Sequence, residues 1–154
     1  MDENVRLAVE AAARSLARAE QCRAGLEKKL LQKEFDSNTI AQALDFLEEK
    51  GYLSDERYSS SWIRTHCSFR QYGKARLLKE LISRGVKKSI AENAIEEYFI
   101  SNSEEDFCRK ALLKLLAQKK DKQKIFRSLV SAGFSYSIIQ RVFKNNEVSE
   151  FGPE

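Results

Sequence analysis

Apolar residues recur at spacings of three and four along almost the whole chain, the period of an α-helix with one buried face. Val5, Ala8, Val9, Ala12, Leu16 and Ala19 form the first such stripe and predict a helix over about residues 4–21. A longer pattern then occurs three times. Leu30-Leu31-Gln32-Lys33-Glu34-Phe35 is followed by Ile40 and Leu44. Leu81-Ile82-Ser83-Arg84-Gly85-Val86 is followed by Ile90 and Ala94. Leu129-Val130-Ser131-Ala132-Gly133-Phe134 is followed by Ile138 and Val142.

The spacing predicts a helix, a sharp turn and a second helix. The leucine faces the core near the end of the first helix, and glycine, where present, stops that helix in the left-handed conformation. Phe35, Val86 or Phe134 plugs the corner. Small polar residues then cap the next helix: Asp36 or Ser37, Ser89, and Ser135 or Ser137. A third helix precedes each pair. One starts at Ser54 or Asp55, turns Tyr58, Trp62 and Ile63 inward and ends near Gly73. Another starts at Ser103-Glu104-Glu105-Asp106 and carries Phe107, Ala111, Leu112, Leu115 and Leu116. The expected fold is all-α: three tandem three-helix repeats over 1–52, 53–101 and 102–146, stacked into an elongated, curved array, with a flexible acidic tail over 147–154. No proline interrupts it, since Pro153 is the only one.

Composition fits charged amphipathic helices, with 42% hydrophobic and 32% charged residues. The acidic start, Met1-Asp2-Glu3-Asn4, and the lack of a long apolar run predict a cytoplasmic protein with no export signal and no membrane contact. Cys22, Cys67 and Cys108 are an odd number at wide spacing, which predicts buried free thiols in a reducing compartment. The net charge is only +4, but it is unevenly placed. Between Arg70 and Lys88 the one acid is Glu80, and between Arg109 and Arg127 the one acid is Asp121. Such segments either contact a polyanion or are ordinary solvated helix faces, and the sequence leaves both open.

A reaction centre has little to start from. His66 is the only histidine, no glycine-rich phosphate loop is present, and the acid pairs Glu48-Glu49, Glu96-Glu97 and Glu104-Glu105 are consecutive surface or first-turn residues. No cofactor or metal is expected. Most aromatics fall at core spacings. Tyr72, among Arg70, Gly73, Lys74 and Arg76, either closes a helix corner or offers a ring for stacking.

Motifs spread from Leu26 to Phe143 resemble the RecX regulators of the RecA recombinase. Gly51-Tyr52-Leu53-Ser54-Asp55-Glu56-Arg57-Tyr58 is similar to that family's Gly-hydrophobic-Leu-Asp-Asp-x-Arg-Tyr/Phe signature. Gly73-Lys74-Ala75-Arg76-Leu77, Glu80-Leu81 and Arg84-Gly85-Val86 resemble its Gly-x-x-Arg-hydrophobic, Glu-Leu and Lys/Arg-Gly-hydrophobic run. Leu129 to Val142 looks like the closing repeat. Two positions depart. Glu34 stands where glycine is usual, which should strain the turn, and Ser54 replaces the first of two common aspartates, where it still caps well.

The resemblance implies a regulator of RecA that binds in the groove of the RecA–single-stranded DNA filament and suppresses ATP hydrolysis and strand exchange. It implies no catalysis by the chain itself. The expected form is a monomer that binds the filament and, as an open question, single-stranded DNA directly. Candidate contacts are Arg57, Tyr72, Lys74, Arg76, Lys79, Arg84, Lys87 and Lys88 in the middle, and Lys114, Lys119, Lys120, Lys124 and Arg127 further on. The family motif covers Arg57, Arg76 and Arg84; the others are chosen for charge. Arg57 could equally pair with Asp55 at the helix start. The rival is a helical-repeat DNA- or protein-binding scaffold with no recombinase role. Base reading by the helices that follow the corners is disfavoured, because those over 40–49 and 90–99 are acidic and only 138–144, with Gln140, Arg141 and Lys144, could serve.

Overall fold

The computed structural model describes residues 1–146, and among these it contains nine α-helices and no strand. They are α1 (Glu3–Arg18), α2 (Arg23–Gln32), α3 (Ser37–Glu49), α4 (Asp55–Arg70), α5 (Lys74–Ser83), α6 (Lys88–Tyr98), α7 (Glu104–Ala117), α8 (Lys122–Ser131) and α9 (Tyr136–Asn145). The acidic tail expected over 147–154 lies outside the described residues. Two compact units result: Met1–Ser61 with Leu81–Ala91, and Trp62–Glu80 with the chain from Glu92 onward. Residues of α4, α5 and α6 are divided between them.

In the first unit Val5, Ala8 and Ala12 of α1 meet Leu26 and Leu30 of α2 and Ile40, Leu44 and Leu47 of α3. Ala19, expected on the α1 stripe, is exposed, because α1 ends at Arg18 and Ala19 is already extended. In the second unit Cys108 and Leu112 of α7 pack with Ile125 and Leu129 of α8 and Ile139, Val142 and Phe143 of α9. All three cysteines are free and buried, as their spacing predicted. Burial pushes the Cys67 and Cys108 thiols up, to about 11 and about 12.

The three predicted corners are built alike. The N–H groups of Phe35, Val86 and Phe134 donate to the carbonyls of Leu30, Leu81 and Leu129, at 3.2, 3.1 and 3.2 Å. One residue earlier, Glu34, Gly85 and Gly133 donate to Leu31, Ile82 and Val130. This pair of bonds is a Schellman ending, and it needs a left-handed residue. The φ angles of Glu34, Gly85 and Gly133 are +68°, +92° and +99°. The next helix begins two residues after the corner residue each time, which leaves one capping position between them. Asp36 and Ser135 therefore cap α3 and α9, accepting from the Thr39 and Ile138 N–H groups. Ser89 does not cap α6. The same register starts α6 at Lys88, so Ser89 lies inside its first turn.

The corner also receives the start of an earlier second helix. Gly73, just before α5, donates its N–H to the Ala132 carbonyl at 2.8 Å, and Ala75 donates to the Gly133 carbonyl. At the aligned place before α2, the Cys22 thiol donates to the Arg84 carbonyl at 3.5 Å. A Cβ on Gly133 would lie 2.4 Å from the Arg76 Cβ and backbone N, and one on Gly85 would lie 2.4 Å from the Ala24 Cβ. Gly73 is needed for the same approach, and α4 ends at Arg70, near Gly73 as expected. A Cβ on Gly73 would lie 2.4 Å from the Gly133 carbonyl oxygen, and the left-handed residue ending α4 is Gln71, at φ +47°. Glu34 sits in the first corner, where it is exposed and carries only the dihedral strain.

Glu34→Gly should therefore raise unfolding stability by about 0.5–1 kcal/mol, the left-handed strain relieved less the added chain entropy. Gly133→Ala should lower it by about 2–5 kcal/mol, since strain and overpacking add. Urea denaturation of both variants checks the contrast.

Candidate functional site

The first turn of each second helix leaves N–H groups that need acceptors. In α8 the preceding Asp121 supplies one, accepting from the Lys124 N–H at 2.9 Å. Neither Cys22 before α2 nor Gly73 before α5 can do so through a carboxylate. The acceptor there comes from the start of a later helix. Asp55 at the start of α4 accepts from the Arg23 N–H at 2.8 Å, and Glu104 at the start of α7 accepts from the Lys74 N–H at 2.8 Å. Ser54 caps α4 itself, accepting from the Arg57 N–H. The signature acid is thus a cap for a distant helix, which single-segment capping rules do not reveal.

The candidate cations separate into two groups. Arg57 is held, but by Glu20 and not by Asp55: its Nε lies 2.8 Å from Glu20 Oε2. Arg84 is hydrogen-bonded to Tyr58. Arg76 is the most engaged. Its Nε reaches Glu80 at 3.0 Å, Nη1 reaches the Ser131 carbonyl at the end of α8 at 3.0 Å, and Nη2 reaches the Tyr72 hydroxyl at 3.4 Å. Its guanidinium lies over the Tyr72 ring, 4.6 Å from the centroid. Lys74 lies over Phe99 at 5.4 Å, and Lys114 donates to the Gln71 side chain at 2.8 Å.

Lys79, Lys87, Lys88, Lys119, Lys120, Lys124 and Arg127 are exposed, and among the described residues no hydrogen bond or ion pair holds their side-chain nitrogens. The three motif arginines are therefore anchored within the protein, whereas most of the lysines chosen for charge alone are open to solvent. Arg57, Arg84, Lys87 and Lys88 belong to the first unit, and the remaining candidates to the second. A cavity of about 650 Å³ in the first unit brings Arg57 and Lys87 together with Glu48, Asp55 and Glu56.

Tyr72 is only 9% exposed. Arg76 covers its ring, Arg70 and Arg76 meet its hydroxyl, and His66 stacks 6.0 Å away. It closes a corner, with Arg76 over the face of its ring. His66 is itself stacked on Trp62 at 3.7 Å, with Nδ1 2.9 Å from the Trp62 carbonyl. Among the described residues no group of three or more His, Cys, Asp or Glu side chains could hold a metal ion, and no helix is long and apolar enough to cross a membrane.

These features define an all-α tandem-repeat protein whose arginines fasten helix ends and whose free lysines face outward. Residues 8–47 match the model of the first RecX three-helix domain, and residues 54–95 match that of the second. A regulatory protein RecX of Treponema pallidum is 32% identical over 84% of this chain and 79% of its own length. One from Pseudomonas tolaasii is 34% identical over 88% of each. The crystal structure of RecX from Lactobacillus salivarius superposes with a TM-score of 0.83, at 22% identity, over 96% of this chain and 99% of that one. The chain belongs to the RecX family of regulatory proteins.

Three outcomes follow from the anchoring contacts. Arg76→Ala should lower stability by about 1–2 kcal/mol, with Lys79→Ala within about 0.5 kcal/mol of the parent, as read by urea denaturation. Asp55→Ala should cost about 1 kcal/mol through the lost cap. Burial raises the Asp55 carboxyl above its ordinary value, helped by Glu48 and Glu56 and opposed by the Arg23 N–H. A raised carboxyl adds stability below its unfolded value and loses it as pH rises through the folded one. Asp55→Asn keeps an acceptor without the charge. Its stability relative to the parent should therefore improve from pH 3 to pH 7.

Proposed function

We propose that this chain regulates the RecA recombinase by lying in the groove of its filament on single-stranded DNA, suppressing ATP hydrolysis and strand exchange. It acts in the cytoplasm as a monomer, without a cofactor and without chemistry of its own, and it touches the filament's DNA as well as its protein. The triplets over 1–52, 53–101 and 102–146 serve as its binding modules.

The observation that carries this reading is the set of exposed, unpaired cations, Lys79, Lys87, Lys88, Lys119, Lys120, Lys124 and Arg127, displayed by a RecX-family repeat. A nucleoprotein filament is a long polyanion. Many weak contacts spread over linked modules bind such a site through avidity, with no deep pocket. Each phosphate contact releases counterions, so the binding is salt-sensitive.

The test is ATP hydrolysis by the cognate RecA on single-stranded DNA, with this protein added below one copy per recombinase monomer. Strong inhibition is expected. Replacing Lys119, Lys120, Lys124 and Arg127 together by glutamine should raise the half-inhibitory concentration by about tenfold or more without shifting the thermal midpoint. A folded parent protein that leaves hydrolysis unchanged at equimolar ratio would reject the reading in favour of a scaffold unconnected with the recombinase.

A further inference from the structure

One aromatic pair in the third triplet is not required by the repeat. Tyr136, the first residue of α9, is 62% exposed and stacks on Phe126 of α8, with centroids 5.3 Å apart and planes 27° apart. Phe126 is partly buried and in turn meets Phe143 edge-on at 6.2 Å. Phe126 therefore belongs to the core margin and fixes the ring above it. Counting from the corner leucines, the positions aligned with Phe126 are Glu27 and Leu78, and those aligned with Tyr136 are Ser37 and Lys88. Two of the three corners are thus built with no aromatic at either position.

The segment that carries Phe126 is cationic. At ~100° per residue, Gln123, Arg127 and Lys124 follow Phe126 in turn around the exposed side of α8. Lys119 and Lys120 precede that helix. The sole acid from 119 to 131 is Asp121, and its carboxylate caps the Lys124 N–H. Ser135 caps α9 and holds the backbone at Tyr136 in place, and among the described residues no hydrogen bond occupies the Tyr136 hydroxyl. An exposed ring, backed by a second ring on a helix that also exposes unpaired cations, suits a strand whose bases are free to leave their own stack. A duplex keeps its base faces covered and gains only the phosphate contacts.

We propose that Tyr136, supported by Phe126, is a base-stacking site for single-stranded nucleic acid, with phosphate contact from Arg127 and Lys124 on the exposed side of α8. The inference extends the filament reading to its DNA strand, but the site works without the recombinase. Tyr136 supplies sequence-tolerant stacking and the cations supply phosphate contact.

The test measures anisotropy of labelled oligothymidylate and of an abasic oligomer of equal length, with the full chain and no recombinase. The parent should bind the oligothymidylate more tightly than the abasic strand. Tyr136→Ala should weaken oligothymidylate binding by about tenfold and leave the abasic strand unaffected, whereas Tyr136→Phe should retain parental binding. Lys124→Gln with Arg127→Gln should weaken both probes and flatten the salt dependence by about two counterions. Parental thermal midpoints for the variants establish that the fold is intact. Equal binding of the two probes by the parent, or full oligothymidylate binding by Tyr136→Ala, would overturn the proposal. So would a parent that binds neither probe. In that last case inhibition of RecA hydrolysis would still be scored separately, so the stacking site can fail while filament regulation stands.

Discussion

The structure depends on one left-handed residue at the end of each second helix. It lets two backbone N–H groups turn back onto the helix and drops Phe35, Val86 or Phe134 into the corner. That bond pair sets the register of everything after it, because the third helix begins at once and its apolar face is fixed against the second. In two of the three corners the same residue is also a landing surface. The backbone at Gly73 and Ala75 bonds to the Ala132–Gly133 corner, and Cys22 meets the carbonyl of Arg84. Glycine is then required twice, once by φ and once by space. Where only φ demands it, glutamate survives, as at Glu34.

The same economy of acceptors explains the long-range caps. A helix start has orphan donors whether or not a good capping residue precedes it. Cysteine and glycine stand at two of these starts because the chain must approach a corner closely there. The side chain that would have capped is missing for that reason. Asp55 and Glu104 supply it from a later helix, which links the capping of one segment to the placement of another. An ordinary first-turn acid, which local rules assign to its own helix dipole, has become a fastening between segments.

Much of this was legible along the chain, and the exceptions are instructive. The three-and-four periodicity and the leucine-to-corner spacing predicted the helices and the turns, because each is a local property of the backbone, while the strain at Glu34 was expected from the resemblance, which puts glycine there. Ser89 misled because capping preference is weaker than repeat register. Asp55 and Arg57 misled because both found partners more than thirty residues away, Arg23 and Glu20, which no local window contains. Tyr72 was rightly singled out as lying among cations, but charge proximity in sequence could not say that Arg76 would cover its ring. Tyr136 was passed over because a tyrosine at a helix start has no signal of its own. Its interest comes from the Phe126 ring beneath it, a contact that only folding creates.

The division of labour between arginine and lysine follows from their chemistry. A guanidinium is planar and presents several donors in fixed directions, so it can join a carboxylate, a carbonyl and a ring at once, as Arg76 does. Such a residue is spent on geometry. Its removal changes the scaffold before it changes any surface, so motif arginines make poor probes of binding. An ammonium on a flexible stem stays hydrated and adjustable, which suits contacts to a polyanion whose phosphates need only be approached. Lys119, Lys120 and Lys124 lie around the start of α8 with no internal partner, so their charge is available in full. A repeat fold permits this separation because its stability resides in corners and helix ends. The outward faces are left free to vary in charge without disturbing the fold.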